Sequence, residues 1–320
     1  MSDLDEYQIN DRYTRDDGRV FLTGVQAVAR IPLQQLRADR EQGRSTAAFL
    51  SGYPGSPLAG LNFEIDKARS LAPDLPIVHR PVLNEEHGAT AVMGSQLAPG
   101  QPDCVYDGIV GLWYGKAPGL DRAGDALRHA VFTGTSRHGG AVAIVGDDPA
   151  AKSSTLPSSS DAALVDLLMP ILYPGDVKEV LTLGMHAVAL SRITGAWTAL
   201  KVVAAVADGS GTVDLSSSVV QPKVPDLTID GVPYLHQPDA NLLTPNNLDL
   251  ERDLRTSRAE LVRRYVVANE LNPTTVNPPD AWIGIISSGF TYHQVIHALD
   301  ALGLKSHHEI ASAGIRLLHL

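Results

Sequence analysis

Short apolar runs alternate with amphipathic stretches over most of this 320-residue chain, and the alternation constrains the fold more than any other sequence feature. The runs predict strands at residues 47–50, 77–83, 104–112, 140–145, 170–174 and 197–207. The amphipathic stretches predict helices at residues 24–41, 58–71, 85–97, 117–132, 161–169 and 176–194. Regular alternation of strand and helix is typical of α/β proteins. The chain is therefore predicted to form a doubly wound parallel sheet.

Two of the predicted strands end in turns that suit ligand binding. Residues 51–60 form a glycine- and proline-rich turn, and Asn84 begins a second turn after residues 77–83. Asn84 can cap a helix whose first turn holds Glu85 and Glu86, where the helix dipole favours carboxylates. Ordinary capping would also account for these residues. Because parallel strands share one carboxyl-terminal edge, the two turns are expected to frame a single crevice.

These turns resemble the pyrimidine-binding domain of the thiamine-diphosphate-dependent 2-oxoacid:ferredoxin oxidoreductases, and above all the indolepyruvate ferredoxin oxidoreductases among them. The matching segments are Tyr53-Pro54-Gly55-Ser56-Pro57, Asn84-Glu85-Glu86, Gly24-Val25-Gln26-Ala27-Val28-Ala29-Arg30, Lys116-Ala117-Pro118-Gly119-Leu120-Asp121 and Gly146-Asp147-Asp148-Pro149 with Ser153-Ser154. They occur in the family's order, which makes the set more specific than any one member. The resemblance implies a sheet of the thiamine-diphosphate-binding, pyrimidine-domain type.

The resemblance also implies one catalytic glutamate, which is hydrogen-bonded to the cofactor's aminopyrimidine. A carboxyl group there promotes the tautomer whose amino group deprotonates the thiazolium carbon. The family places this glutamate first in an E-x-x-A pattern at a helix start. Glu86 fits because Ala89 follows it, whereas the third residue after Glu85 is Gly88. Glu86 is thus the predicted catalytic residue, and Glu85 remains the alternative if the register is shifted.

Further contacts follow from the same resemblance. Tyr53, Pro54, Gly55 and Ser56 are expected at the cofactor with the two glutamates, and Ser56 is expected near the pyrimidine or the substrate carboxylate. The histidines show no spacing typical of metal ligands, so no metal site is predicted in this chain. Residues 146–154 lack the second glycine of a nucleotide phosphate loop. The serines that follow are interpreted as a polar, mobile loop: Ser153, Ser154, Ser158, Ser159 and Ser160.

The activity implied by the family is oxidative decarboxylation of indolepyruvate or a related arylpyruvate. The expected cofactors are thiamine diphosphate with Mg²⁺, iron–sulfur clusters and coenzyme A as co-substrate, and ferredoxin is the expected electron acceptor. The diphosphate and Mg²⁺ belong to another domain of the same or a partner chain, so an oligomer is expected. Iron–sulfur clusters also require other parts of the enzyme, because Cys104 is the only cysteine.

Other functions stay open on the sequence alone. One is a noncatalytic thiamine-fold binding module, and another is an oxidoreductase for aliphatic or branched 2-oxoacids. A hydrolase of the α/β class would need a G-x-S-x-G motif, which the sequence lacks. The net charge of −10 disfavours nucleic acid and anionic membranes as partners. The acidic start and the single cysteine suggest a cytoplasmic protein.

Three parts are expected along the chain. Residues 1–215 are predicted to form the pyrimidine-binding domain, and residues 216–278 a linker that contains a charged helix at 248–271. Residues 279–320 are predicted to begin a second α/β domain that resembles the carboxyl-terminal domain of transketolase, with strands near 282–286 and 314–318. Two strands bury too little surface for an independent core. The chain is therefore expected to be the amino-terminal fragment of a longer protein.

Overall fold

The computed structural model describes residues 7–218 and 220–320. The strands are β1 (Arg19–Thr23), β2 (Thr46–Gly52), β3 (Ile77–His79), β4 (Gly108–Lys116), β5 (Ala141–Asp147), β6 (Ile171–Leu172), β7 (Thr198–Val203), β8 (Ser210–Asp214), β9 (Thr228–Ile229), β10 (Val232–Pro233), β11 (Thr274–Val276), β12 (Ile283–Ser287) and β13 (Ile315–His319). The helices are α1 (Asp11–Thr14), α2 (Gly24–Glu41), α3 (Leu61–Leu71), α4 (Glu85–Leu97), α5 (Ala117–Arg122), α6 (Gly124–Thr133), α7 (Asp161–Asp166), α8 (Val177–Thr194), α9 (Ala204–Ala207), α10 (Leu215–Ser218), α11 (Asn246–Asp253), α12 (Ala259–Ala268), α13 (Gly289–Ala301) and α14 (His307–Ser312).

Six strands form a wholly parallel main sheet in the order β3-β2-β4-β5-β7-β6. Helices α2, α3 and α8 share one core with one face of this sheet. Helices α4 to α7 share a second core with the other face. The prediction of a doubly wound parallel sheet is therefore confirmed.

The central strand β5 shows why the sequence folds in this way. All seven of its residues are buried, because β4 and β7 flank it and helices cover both faces. Val142 and Ile144 pack into the first core, whereas Ala143 and Val145 pack into the second. A strand buried on both faces requires a continuous apolar run rather than an alternating one. Residues 141–145 supply that run.

Helix α2 begins with a capping box. The Thr23 side chain accepts a hydrogen bond from the Gln26 backbone, and the Gln26 side chain accepts one from the Thr23 backbone. The helix contains Pro32 and still has the predicted bounds, residues 24–41. Near its end, Asp39 is buried and receives two hydrogen bonds of 2.7 Å from Arg192 of α8. This bidentate pair links the two longest helices on the first face of the sheet.

Several predicted elements have different bounds in the structure, and the strand predicted at 197–207 ends at Val203, after which helix α9 begins. The strand predicted at 104–112 starts at Gly108 and continues to Lys116, alongside β2 and β5. The helix predicted at 117–132 is divided into α5 and α6 at Ala123. Strands β1 and β8 were not predicted from the sequence, and they pair with each other in an antiparallel ribbon. Their pairing partners lie far apart in the sequence, so no local pattern identifies them.

The carboxyl-terminal part contains its own sheet, in the order β11-β13-β12. The expectation of two strands here is corrected to three, because residues 274–276 pair antiparallel with β13. A third, smaller core lies between this sheet, α13 and α14. The helix predicted at 248–271 is formed by α11, a π-helical segment at Leu254–Arg258, and α12. Among residues 7–218 and 220–320, no helix is long and apolar enough to cross a membrane.

The buried pair of Asp39 and Arg192 generates a stability prediction. Burial by itself raises the pKa of Asp39, but the hydrogen bonds and charge of Arg192 outweigh it, and the pKa lies below its usual range. Asp39→Asn leaves Arg192 buried without a counter-charge, which we expect to cost about 3–5 kcal/mol at neutral pH. Urea denaturation measures this loss, with Glu41→Gln as the control because Glu41 is exposed on the same helix.

The same pair gives a pH dependence with a defined sign. A depressed carboxyl pKa adds stability above the unfolded-state pKa of about 3.9, and that stability disappears as the pH falls through the lower folded-state pKa. The difference between the wild type and Asp39→Asn should therefore be full at neutral pH and shrink below about pH 4. A difference that stays constant down to pH 3 would contradict this account of Asp39.

Candidate functional site

The direction of the chain reverses in the main sheet between β2 and β4. From β2 the chain moves outward to β3, and helix α4 then brings it back across to β4 on the other side of β2. Right-handed crossovers in opposite directions place α3 and α4 on opposite faces of the sheet. A crevice opens outside the carboxyl ends of the strands at such a switch point. The two turns singled out in the sequence both lie there.

Direct contacts join the turns around this crevice. The Ser56 hydroxyl is hydrogen-bonded to the Ser153 hydroxyl, so the turn after β2 touches the loop after β5. Gly55 packs against Lys116 at the end of β4, where an added Cβ would lie 2.9 Å from the lysine Cδ. The structure therefore brings together three segments that are separate in the sequence.

Helix α4 approaches the sheet unusually closely at its first turn. A Cβ on Gly88 would lie 3.0 Å from the Cα of Gly52, the last residue of β2. A Cβ on Gly52 would in turn lie 2.0 Å from the backbone oxygen of Tyr114. Only glycine permits this contact, because any side chain would separate α4 from β2 and β2 from β4.

Glu85 is the first residue of α4 and is buried, with 5% of its surface exposed. The Asn84 side chain caps the helix by accepting a hydrogen bond from the His87 backbone. The Glu85 backbone oxygen accepts a hydrogen bond of 3.0 Å from the indole of Trp113, which is fully buried in β4. Cap and indole together fix the position of Glu85 at the carboxyl edge of the sheet.

The Glu85 carboxylate lies against the end of β4 and the helix α5 that directly follows it. A Cβ on Gly119 would lie 2.5 Å from Glu85 Oε1, and a Cβ on Gly115 would lie 3.5 Å from Glu85 Cγ. The other oxygen, Oε2, is buried and has no hydrogen-bond partner among the described residues. The nearest cation is Arg122, whose guanidinium is 3.9 Å away and mostly exposed. A buried carboxylate oxygen without a donor is costly and indicates a missing partner.

Glu86 lies on the opposite, exposed side of the same helical turn. Its backbone oxygen accepts a hydrogen bond from the Thr90 hydroxyl, and its side chain is in solvent. His87 is exposed as well. The structure thus separates the two candidate glutamates, and the one that the motif register favours is not the one that faces the interior of the crevice.

The remaining predicted contacts lie along the turn after β2. Tyr53 is 43% exposed, and its backbone N–H donates a hydrogen bond to the backbone oxygen of Tyr114 in β4. Pro54, Gly55 and Ser56 are half-buried and continue toward the loop after β5. These four residues therefore line the rim of the crevice, and Glu85 lies deeper inside it.

Side-chain hydrogen bonds to the backbone support the loop after β5. Both oxygens of the Asp148 side chain accept backbone hydrogen bonds of 2.9 Å, one from Lys152 and one from Ser153. The Ser153 backbone bond lowers the pKa of Asp148. Asp148 therefore holds Ser153 in position against Ser56.

A buried network of Asp147 and Lys201 holds the ends of this loop, and it was not predicted from the sequence. Asp147 is buried and accepts two hydrogen bonds of 3.0 Å from Ser160, and burial raises its pKa. Lys201 of β7 is buried 3.6 Å from Asp147 and bonds Asp161 at 2.6 Å. A lysine inside an apolar strand is the signal that could have identified this network.

Two other features lie outside the crevice. His79 is buried and both ring nitrogens have partners, Asp66 and Tyr114, each at 2.9 Å, so it is a structural residue. A cleft of about 890 Å³ opens at the opposite, amino-terminal edge of the main sheet, lined in part by Arg44, Arg137 and His138. Its size alone does not make it the functional site, because none of the residues around Glu85 line it.

Two curated relatives match most of the chain. The indolepyruvate oxidoreductase subunit IorA of Methanothermobacter thermautotrophicus is 24% identical over 292 residues, which cover 91% of this chain and 42% of the relative. The subunit of the same name from Methanothermobacter marburgensis is 23% identical over 286 residues, which cover 89% of this chain and 41% of the relative. The chain thus spans about two-fifths of the length of these relatives. No protein-family profile matches it.

A solved structure shares the fold. A chain of the 2-oxoglutarate:ferredoxin oxidoreductase from Magnetococcus marinus, solved with 2-oxoglutarate, coenzyme A and succinyl-CoA, superposes with a TM-score of 0.67 at 15% identity. The match covers 95% of this chain and 54% of the other. The predicted fold class and the resemblance to 2-oxoacid:ferredoxin oxidoreductases are both confirmed by these relatives.

The contact between Gly119 and Glu85 generates a third prediction. Gly119→Ala places a methyl group within the space of the Glu85 carboxylate, so we expect a loss of about 1–3 kcal/mol from overpacking. Gly124→Ala is the matched control, because it lies five residues further on with open space around it. Alanine there should be neutral or stabilising by up to about 1 kcal/mol. Denaturant midpoints measure both, and equal effects would show that Gly119 makes no special contact.

Proposed function

We propose that this chain is the amino-terminal, pyrimidine-binding part of a thiamine-diphosphate-dependent 2-oxoacid:ferredoxin oxidoreductase that acts on indolepyruvate or a related arylpyruvate. The products would be an acyl-coenzyme A, carbon dioxide and reduced ferredoxin. One observation carries the proposal: Glu85 holds a buried carboxylate oxygen without a hydrogen-bond partner among the described residues, at the switch point of the main sheet. The relatives named for indolepyruvate supply the substrate class.

The residues of the crevice suit the aminopyrimidine of thiamine diphosphate. Glu85 Oε2 offers the single hydrogen-bonding group that a ring nitrogen requires, and it lies at the start of a helix at the edge of the sheet. The small residues Gly115 and Gly119 fix the carboxylate without donating a competing hydrogen bond from a side chain. When bound, thiamine diphosphate would supply the thiazolium carbon that attacks the 2-oxo group of the substrate.

We assign the catalytic role to Glu85 rather than to Glu86. A carboxyl group controls a tautomer only where water does not compete for the hydrogen bond, and Glu85 is buried whereas Glu86 is exposed. The E-x-x-A register supports Glu86, because Gly88 rather than alanine stands three residues after Glu85. Burial favours Glu85 over that register, and Gly88 is the residue that lets the helix approach Gly52 of β2.

The rim of the crevice would hold and orient the substrate. The Ser56 and Ser153 hydroxyls meet there, and Asp148 fixes Ser153 through the backbone. Arg122 adds positive charge beside Glu85, and Lys116 adds it beside Gly55 on the rim, which suits the carboxylate of a 2-oxoacid. These side chains are exposed enough to move toward a ligand that enters from solvent.

The rest of the reaction would take place on other parts of the enzyme. The Mg²⁺ and diphosphate of the cofactor require a second domain, in the same or a partner chain, and iron–sulfur clusters require cysteines beyond Cys104. The three-part division at residues 1–215, 216–278 and 279–320, an oligomeric enzyme and a cytoplasmic location all belong to this proposal.

The two neighbouring glutamates give a direct test. In the full-length protein with thiamine diphosphate, Mg²⁺, coenzyme A and a reducible dye, Glu85→Gln should lower kcat with indolepyruvate by about 10²- to 10⁴-fold. Glu86→Gln is the matched control, since it makes the same chemical change one residue away on the exposed side. It should retain activity within a few-fold.

The outcomes distinguish the alternatives. If Glu86→Gln loses activity and Glu85→Gln retains it, the catalytic residue is Glu86, as the E-x-x-A pattern predicts, and our assignment is wrong. Dye reduction only with aliphatic or branched 2-oxoacids would keep the enzyme class and replace the substrate. If the wild type reduces no dye with any 2-oxoacid, the chain is a noncatalytic binding module.

A further inference from the structure

Three potential metal ligands meet where α8, which packs on the main sheet, contacts α13 of the carboxyl-terminal part. Asp176 caps α8, Glu179 lies in the first turn of that helix, and His293 lies on α13. One ligand atom from each lies within 4.8 Å of the others. His293 is distant from both carboxylates in the sequence, so no spacing pattern reveals the group.

The distance between two of these ligands fits a tetrahedral metal ion. Glu179 Oε1 and His293 Nε2 are 3.4 Å apart. This distance exceeds the usual 2.7–3.2 Å of an N–H···O hydrogen bond. It matches the separation of about 3.3 Å between two ligands that each lie about 2.0 Å from a tetrahedral zinc ion. His293 Nε2 is also buried, and its contact with Glu179 Oε1 is too long for a regular hydrogen bond.

The two carboxylates are held in place by their other oxygens. Asp176 Oδ1 accepts a 2.8 Å hydrogen bond from the Glu179 backbone, and Glu179 Oε2 accepts one of 2.7 Å from the Gly175 backbone. Each carboxylate thus keeps one oxygen for a ligand while the backbone fixes its orientation. Metal-binding carboxylates are commonly oriented by such outer hydrogen bonds.

The packing of His293 further limits its freedom. A Cβ on Gly175 would lie 2.3 Å from the His293 ring, so the imidazole lies directly on the backbone that precedes α8. The neighbouring Tyr292 stacks on His319 at 4.0 Å between ring centroids. The ring of His293 is therefore held at the carboxylates instead of rotating freely in solvent.

We propose that Asp176, Glu179 and His293 bind a divalent transition-metal ion of the zinc class, with water completing its coordination, and that the ion fastens the carboxyl-terminal sheet to the main sheet. One neutral imidazole and two carboxylates are a ligand set that zinc accepts, and three protein ligands leave a position open. The amino terminus of α8 disfavours a cation through its dipole, but two full negative charges outweigh a partial positive charge. This inference does not rest on the proposed enzymatic function.

The test uses the full-length protein, dialysed against a chelator and then against Zn²⁺, with bound zinc determined by elemental analysis over a range of free concentrations. The wild type should bind one Zn²⁺ per chain. The His293→Ala variant should lose this ion, because its apparent affinity for Zn²⁺ should be about tenfold or more lower. Asp176→Asn should show the same loss while preserving the fold, because asparagine is an equally good helix cap. His297→Ala is the matched control, since His297 is an exposed histidine on the same helix.

A thermal unfolding measurement gives an independent readout. Added Zn²⁺ should raise the unfolding temperature of the wild type and of His297→Ala, but not that of His293→Ala or Asp176→Asn, because only a native-state ligand stabilises the fold. If wild type and His293→Ala bind equal amounts of Zn²⁺, the proposal is wrong. In that case the contact of Glu179 with His293 is an ion pair only.

Discussion

The structure depends on the close packing of the first turn of α4 against the carboxyl ends of β2 and β4. Gly88 and Gly52 remove the side chains that would keep the helix from the sheet. That approach places Glu85 beneath α5, against Gly119, rather than in solvent. Burial of one carboxylate thus follows from two glycines, and the chemistry proposed for the crevice follows from that burial.

Buried ion pairs hold the surrounding framework in place. Asp39 and Arg192 link α2 to α8 on one side of the main sheet. Lys201 joins Asp147 to Asp161 and so closes the base of the loop that carries Ser153. Removing one partner of a buried ion pair costs several kcal/mol of folding free energy, about 3–5, because it leaves an unpaired charge. Replacing both partners with apolar residues of similar volume often costs nothing. Such pairs therefore fix geometry more than they add stability, and here they fix the helices and the loop around the crevice.

The sequence predicted the main architecture well because most of it is encoded locally. Apolar periodicity and nearby capping residues account for the bounds of α2 and α4, for the buried β5 and for the long helix α8. The elements that were missed, β1 with β8 and the edge strand β11, depend on distant partners. The turn and the glutamate pair were identified from the sequence, but which of the two glutamates is buried was not.

The sequence by itself determined the fold class, the two turns at the carboxyl edge and the pair of candidate glutamates, because propensity, periodicity and motif order are local properties. Only the tertiary structure decided which glutamate is buried, since neighbouring residues on a helix point in directions about 100° apart and packing selects one of them. It also decided that Asp176 and Glu179 meet His293. Contacts between distant segments form only after the sheets have assembled, and no local pattern in the chain encodes them.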